Sequence, residues 1–454
     1  MTHRLASFAL VFSALVGCAA RADETAPPAA SAEARAQSLE RKIETLSREL
    51  DALKNELKQV ENQNEALAAQ QQQQAVLAQQ QSAVQNGGGP WDRLSLWGYG
   101  EVNYYHPQHR PEDTQADLAR AVFGIGYRFG ERTVFNSEYE VEHAVSSADD
   151  PGEFEVEQFW VDHRFADWGA VKAGLFLMPF GLLNEHHEPT NYYGVQRNFV
   201  ETLIIPSTWR EGGVGLHGDT VSGFGWDLGL TTGFDLSKYE LNPETPLYGR
   251  ASELKEASPL QATHQELALA NAQHLAQYLA LNYHGLPGFL FGAAVFTGNA
   301  GRVDRSAHLP DSRLTLWEAH ARWRPGRADF AAVFARGTLG DTAATNALNP
   351  GASNPLPGSF FGYYVQGAYD VWRRDQTRLA PFLRWERYNV GASYAGLAAG
   401  FAAVPAGFPQ PYDRVWTYGM NFYLNPHVVF KADYQSFQNN ADFTRFDLGV
   451  GLNF

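Results

Sequence analysis

Residues 132–145 read RTVFNSEYEVEHAV. Thr133, Phe135, Tyr139, Val141 and Val145 share one parity, whereas Asn136, Glu138, Glu140 and Glu142 share the other. A period of two marks a strand, because successive side chains point to opposite faces of the pleat. One face is apolar and the other carries three carboxylates, so this strand divides a dry environment from a wet one.

The alternation persists from Trp91 to Phe454. Sixteen candidate strands fall at roughly 91–106, 118–129, 132–145, 153–165, 169–178, 212–220, 223–235, 275–285, 288–298, 313–324, 328–338, 359–373, 377–390, 412–424, 427–438 and 441–454. Connections after the even-numbered strands are short (GE, ADW, VS, LP, PGR, RDQ, NP). Most after the odd-numbered strands are long, including 179–211, 236–274, 339–358 and 391–411. Short turns on one rim, long loops on the other and an even strand count are the layout of an outer-membrane barrel. Closure leaves no unpaired edge in hydrocarbon, so one parity can meet lipid and the other a watery lumen. A soluble sandwich has no reason to sort loop length by parity. The expected fold is an all-β transmembrane barrel of about sixteen antiparallel strands over 91–454, preceded by an N-terminal α-helical coiled coil.

Composition agrees. The 454 residues include 42 Gly, 29 Phe, 20 Tyr and 11 Trp, with negative mean hydropathy. After the first 25 positions there is no run of about 18 uncharged apolar residues, so any crossing is made by strands. Trp91, Trp97, Trp372, Trp416 and Phe454 crowd strand ends, as interfacial girdles do. In the last segment, 441–454, Phe446, Leu448, Val450, Leu452 and Phe454 alternate with Arg445, Asp447, Gly449, Gly451 and Asn453.

Residues 1–22 read as an export signal: Arg4, then LASFALVFSALVG, then small residues. Two cleavage readings are available. Ala20-Arg21-Ala22 fits signal peptidase and leaves Asp23 first, whereas Leu15-Val16-Gly17-Cys18 resembles a lipobox that would place lipid on Cys18. Cys18 is the single cysteine, which excludes disulfides within the chain. Residues 31–85 form a second unit, placed in the periplasm. Leu39, Ile43, Leu46, Leu50, Leu53, Leu57, Val60, Asn64 and Leu67 step by four and three, a heptad seam suited to self-association. NGGGP at 86–90 then breaks the helix as a glycine linker.

EQFWVDHRFADWGAVKAGLFLMPFGLLNE, 157–185, resembles the strand, turn, strand and PFG motif of the phosphate-selective porin O and P family. RNFVETLIIPSTWREGGVGLHG, 197–218, is similar to that family's continuation into its next strand. The resemblance implies a sixteen-stranded homotrimeric porin in outer-membrane lipid whose third extracellular loop, 179–211, folds into the lumen as a constriction. Asn184, Glu185, His186, His187, Glu188, Arg197 and Glu201 would belong to that loop. A final strand ending in Phe also resembles the C-terminal signature that the barrel assembly machinery reads.

The family's lysine cluster and arginine ladder are not reproduced: only Lys172, Lys238, Lys255 and Lys431 follow Trp91. Residues 1–90 hold 10 acidic and 8 basic residues, leaving 40 acidic and 27 basic in the barrel segment. By parity the lumen would be lined by Glu101, Glu138, Glu140, Glu142, Asp162, Glu318, Glu386, Asp433 and Asp447. Opposing them would be Arg93, Arg128, Arg164, Arg322, Arg324, Arg384 and Arg445. Carboxylate rings favour cations and arginine rows anions, so the expected pore is mixed and weakly selective. Cross-strand pairing that sets no selectivity is the competing reading.

No catalytic group is expected. The run Asn184-Glu185-His186-His187-Glu188 lacks the i, i+4 spacing of a helical zinc motif, so no metal and no cofactor are expected either. No spacing nominates a serine triad, and no basic tract points to nucleic acid. The function expected is passive diffusion of ions and small solutes, including anionic, phosphate-like ones. Two alternatives stand beside it. One is a sugar-selective porin using Trp97, Tyr99 and Tyr105; the other is a tether in which 31–85 engages peptidoglycan and the barrel is an anchor.

Overall fold

The computed structural model describes residues 90–145, 152–242, 258–301, 312–401 and 410–454, with Lys42, Glu44, Thr45 and Arg48. Those four are helical, and Arg48 pairs with Glu44 at 3.0 Å. The rest of 1–89 lies outside the described residues, and with it the export signal 1–22, nearly all of the coiled coil 31–85 and most of the linker 86–90. Among the described residues no helix is long and apolar enough to cross a membrane.

The barrel is a single antiparallel meander. Its first strands are β1 (Leu94–Pro107), β2 (Gln115–Arg128), β3 (Thr133–Glu142), β4 (Phe154–Ala166) and β5 (Gly169–Leu177). Then come β6 (Arg210–Asp219), β7 (Phe224–Thr231), β8 (Ala276–Leu286), β9 (Phe289–Asn299), β10 (Arg313–Trp323) and β11 (Ala328–Leu339). The last are β12 (Ser359–Tyr369), the short β13 (Trp372–Arg374), β14 (Thr377–Ser393), β15 (Tyr412–Asn425), β16 (Val428–Phe437) and β17 (Arg445–Asn453). β12 and β13 both pair with β14 and form one stave, so the wall has sixteen. β17 pairs with β1, from Tyr99 opposite Asn453 to Pro107 opposite Arg445, and closes the cylinder.

The two faces sort as the alternation requires. On β17, Phe446, Leu448, Val450 and Leu452 are 37–43% exposed on the outside, while Asp447 is fully buried within. Outside β2–β4, Phe123, Tyr139 and Phe154 form one cluster of ring contacts, and Phe135 and Phe159 a separate pair. Trp97 departs from the girdle expectation: it shares the inward parity of Tyr99, and its ring lies over Gly124, where a Cβ would sit 2.0 Å from it.

Of the register shifts in the wall, two lie beside the inward carboxylates of the first strands. Between β1 and β2 the register slips where Glu101 faces Arg120 and Val102 faces Leu118. Between β3 and β4, Glu138 faces Gln158 but Tyr139 faces Val156. The extra residue in β4 is Glu157, and a bulge re-aims the side chains beyond it. Gln158 thus faces inward with Asp162, and Glu157 and Glu155 face inward too instead of outward.

Candidate functional site: a segment strapped across the lumen

Residues 178–209, between β5 and β6, do not stand on the rim. Asn184 closes the neck of the excursion: its amide donates to the carbonyls of Met178 (2.7 Å) and Trp209 (2.8 Å), and its oxygen accepts from Trp209 N–H (2.7 Å). Glu201 is the internal staple. It accepts from the N–H groups of Leu182 and Leu183, the Asn198 amide and the Tyr364 hydroxyl, at 2.6–3.0 Å. Four donors satisfy a carboxylate only 3% exposed, which would otherwise carry a heavy desolvation cost.

From Thr190 to Phe199 the backbone is tied to the opposite wall. Asn421 on β15 donates to Tyr192 O (3.1 Å) and accepts from Gly194 N–H (3.1 Å). Asp433 on β16 accepts from Val195 N–H (2.5 Å), and Glu386 on β14 from Phe199 N–H (2.6 Å). Arg384 donates to Tyr193 O (3.3 Å), and Arg445 bonds the Gln196 side chain. Gly194 has φ +86, a conformation L side chains rarely adopt, and it lets consecutive N–H groups reach Asn421 and Asp433. The wall gives way to match, since a Cβ on Gly451 would lie 2.5 Å from Pro189.

The apolar part of the segment has its own seat. Phe180, Phe199, Val200, Leu203, Ile204, Ile205 and Trp209 are buried against inward-facing Phe296, Leu314, Leu316, Val333, Phe360 and Tyr388. On that side the lumen is a packed core, contrary to the uniformly watery interior expected from the polar parity elsewhere.

The expected lining residues therefore divide. Glu101, Glu142, Arg445 and Arg197 border a recess of about 340 Å³ at the long-loop rim. Arg322 and Arg324 border another of about 690 Å³ at the short-turn rim, beside Arg327, Asp329, Asp370, Arg373, Asp375 and Arg378. Glu185 and His186 border a third, of about 400 Å³, with His217, Asp227 and His320. Glu138, Glu140, Glu318, Arg384, Glu386, Asp433 and Asp447 are 0–4% exposed, which corrects the expectation that they meet open water. The inserted segment and neighbouring side chains cover them. Asp162 pairs with His217 at 2.5 Å. Arg128 and Arg164 lie near the short turns at the β2 and β4 ends, and Glu188 accepts from Asn191 at 2.6 Å. Arg93 sits in a 3-10 turn, Pro90–Arg93, ahead of the wall, which corrects its place in the lining.

Several residues at this site were not singled out from sequence. Arg120 bonds Glu101 at 2.8 Å and donates to His187 O at 2.6 Å. Lys431 lies 3.5 Å from the Tyr192 ring centroid, and the Tyr192 hydroxyl donates to Glu101 at 2.7 Å. Glu157 comes inward through its bulge, and His187 meets it there. Burial, with Arg120 and Arg197 nearby, holds the His187 imidazole down to about 4. Its Nδ1 is 2.8 Å from Asn184 O, which can only accept, so Nδ1 carries the hydrogen and Nε2 a lone pair.

No family model matches the chain. An uncharacterized protein of Aquifex aeolicus (strain VF5) is 29% identical over 353 residues, covering 75% of each chain. Among solved structures, a Salmonella typhi OmpF complex with daunomycin is 14% identical, covering 80% of this chain and 97% of that one at a TM-score of 0.50. The outer membrane channel DcaP of Acinetobacter baumannii matches at 11% identity, 80% and 97% coverage and a TM-score of 0.46. An anion-selective porin from Comamonas acidovorans matches at 12% identity, 79% and 98% coverage and a TM-score of 0.45. The likeness to OmpF is one of fold: a closed sixteen-stave barrel.

Proposed function

We propose that this chain is an outer-membrane porin through which ions and small solutes diffuse passively, past a lumen narrowed by residues 178–209. One observation carries the reading. A closed wall, apolar outside and charged inside, holds a strap whose neighbours Tyr192 and Tyr193 border recesses at opposite rims. A barrel serving only as an anchor has no use for polar recesses at both ends. The short-turn recess holds Arg322, Arg324, Arg327, Arg373 and Arg378 against Asp329, Asp370 and Asp375. That balance favours small anions weakly, because arginine rows attract them and the paired aspartates moderate the field. A phosphate-like solute fits the same arginines.

The reading brings with it outer-membrane lipid around the apolar belt, homotrimeric assembly, insertion by the barrel assembly machinery, and a periplasmic 31–85 segment able to reach peptidoglycan. Purified protein in a planar bilayer under a potassium chloride gradient tests it. Stepwise single-channel currents with a reversal potential displaced modestly towards chloride are expected. A barrel that inserts but passes no current would sink the porin reading.

A further inference from the structure

The Tyr99 hydroxyl stands at the centre of three buried acceptors. Glu138 Oε1 is 2.8 Å away, Glu157 Oε2 3.2 Å and His187 Nε2 2.6 Å. The hydroxyl has one hydrogen, and the lone pair of Nε2 faces it, so two of the three acceptors go without. Nearby cations do not make up the deficit. Arg120 is engaged by Glu101 and by His187 O, and Arg210 by Glu155 and Glu266. Glu157 is fully buried, no N–H or hydroxyl reaches its Oε1, and its further side-chain partner is another buried acid, Glu140. Burying uncompensated carboxylates is among the costliest arrangements a protein can hold.

We propose that Glu138, Glu157 and His187 bind one divalent transition-metal ion of the zinc type, which clips the inserted segment to the β3–β4 wall. The three donor atoms lie within 4.8 Å of one another, and once the Tyr99 hydroxyl swings out of the space between them, modest side-chain shifts bring them to about 2.0–2.2 Å from a common centre. One imidazole nitrogen with two carboxylates suits zinc; calcium takes oxygen ligands alone. The ion's two positive charges cancel the two carboxylates, and the phenol keeps its hydrogen, turning it to a ligand oxygen. The surroundings fit as well. His187 gives its other ring N–H to Asn184 O, and Gln158 donates to Glu138 Oε2 while accepting from Trp160 Nε1 at 2.9 Å. Such outer partners fix ligand orientation in metal sites. The adjacent Glu140–Glu155–Glu157 group is the weaker candidate: it offers only oxygens, and Arg210 already holds Glu155 at 2.5 Å.

The full chain, folded in detergent with zinc chloride and passed through gel filtration, is assayed by elemental analysis. One zinc per chain is expected, and cobalt in its place should give a visible ligand-field band. His187→Gln and Glu157→Gln should each weaken zinc binding by about tenfold or more, with His109→Gln unchanged. Chelation should lower the midpoint of heat-modifiable unfolding in the unaltered protein and leave that of Glu157→Gln where it is. If a variant does not fold, the stoichiometry and cobalt spectrum of the unaltered chain decide. No retained metal, together with a raised midpoint in Glu157→Gln, would overturn the proposal and show that the carboxyl groups share hydrogens instead. None of these readouts depends on conductance, so the porin reading stands or falls separately.

Discussion

The N–H of Val195 donates to Asp433 Oδ2 across 2.5 Å, joining the middle of the inserted segment to β16. Removing that acceptor leaves a buried N–H unpaired, at a cost of about 1–3 kcal/mol. In Asp433→Ala we expect a lower unfolding midpoint together with larger, noisier single-channel currents. Currents as quiet and small as those of the unaltered protein would mean the bond does not restrain the strap.

Gly451→Leu probes the strap from the wall side. The new side chain would collide with Pro189, while its backbone pairing to Val429 and Glu101 persists. The barrel should close, and the segment should become open to added protease within 182–208. Continued protection would place the segment's hold elsewhere.

Two substitutions contrast the faces. Val450→Arg puts a cation on the outer surface near the middle of β17, costing about 2–4 kcal/mol at the bilayer midplane. Glu142→Lys changes charge in the long-loop recess, where solvent is present. Impaired folding in lipid is expected for the first, and normal folding with a reversal potential moved towards anions for the second. The opposite pairing of outcomes would invert the assignment of inside and outside.

The β4 bulge can be removed by deleting Glu157 alone. Gln158 would still face Glu138 and Val156 would still face Tyr139, so the ladder becomes regular and every other side chain keeps its face. Folding with normal heat modifiability is expected. A barrel that fails to assemble would mean that the wall depends on the extra residue.

Acid should loosen the loop between β7 and β8. Burial pushes the Glu266 carboxyl up, but His264 and Arg210 more than offset this and leave it below its ordinary 4.5. An acid with a lowered folded value contributes stability that is present above 4.5 and lost as pH falls through the folded value. Protease cleavage within 258–275 should therefore rise only below about pH 4.5, and Glu266→Gln should remove that dependence.

The staves were legible because each strand must meet lipid on one side, which writes a period of two into the chain. Phe446 to Phe454 show this residue by residue. The bulges were not legible. A single extra residue leaves no compositional trace, so extending the parity of Asp162 backward sends Glu155 and Glu157 to the wrong face. Arg120 escaped notice beside a bulge of the same kind. The strap itself was anticipated through resemblance and the length of its loop, but not its seat, since its anchors are backbone N–H groups of Gly194, Val195 and Phe199 meeting Asn421, Asp433 and Glu386 far along the chain. Backbone donors are the same in every sequence. His187 looked unpromising among its neighbours in the chain because its partners lie on β1 and β4.

The β1–β17 seam imposes an order of events. Gly98 exchanges backbone hydrogen bonds with Phe454, so the first stave has no partner on that side until Phe454 has been made. Until then both margins of the sheet carry unpaired donors and acceptors, the condition that invites pairing with other chains. Joining such distant segments is also slow, because the entropy of closing so long a loop must be met before the ladder forms. The nascent protein therefore has to be kept apart from its own kind until β17 has emerged, and its maturation should be timed by that zippering step.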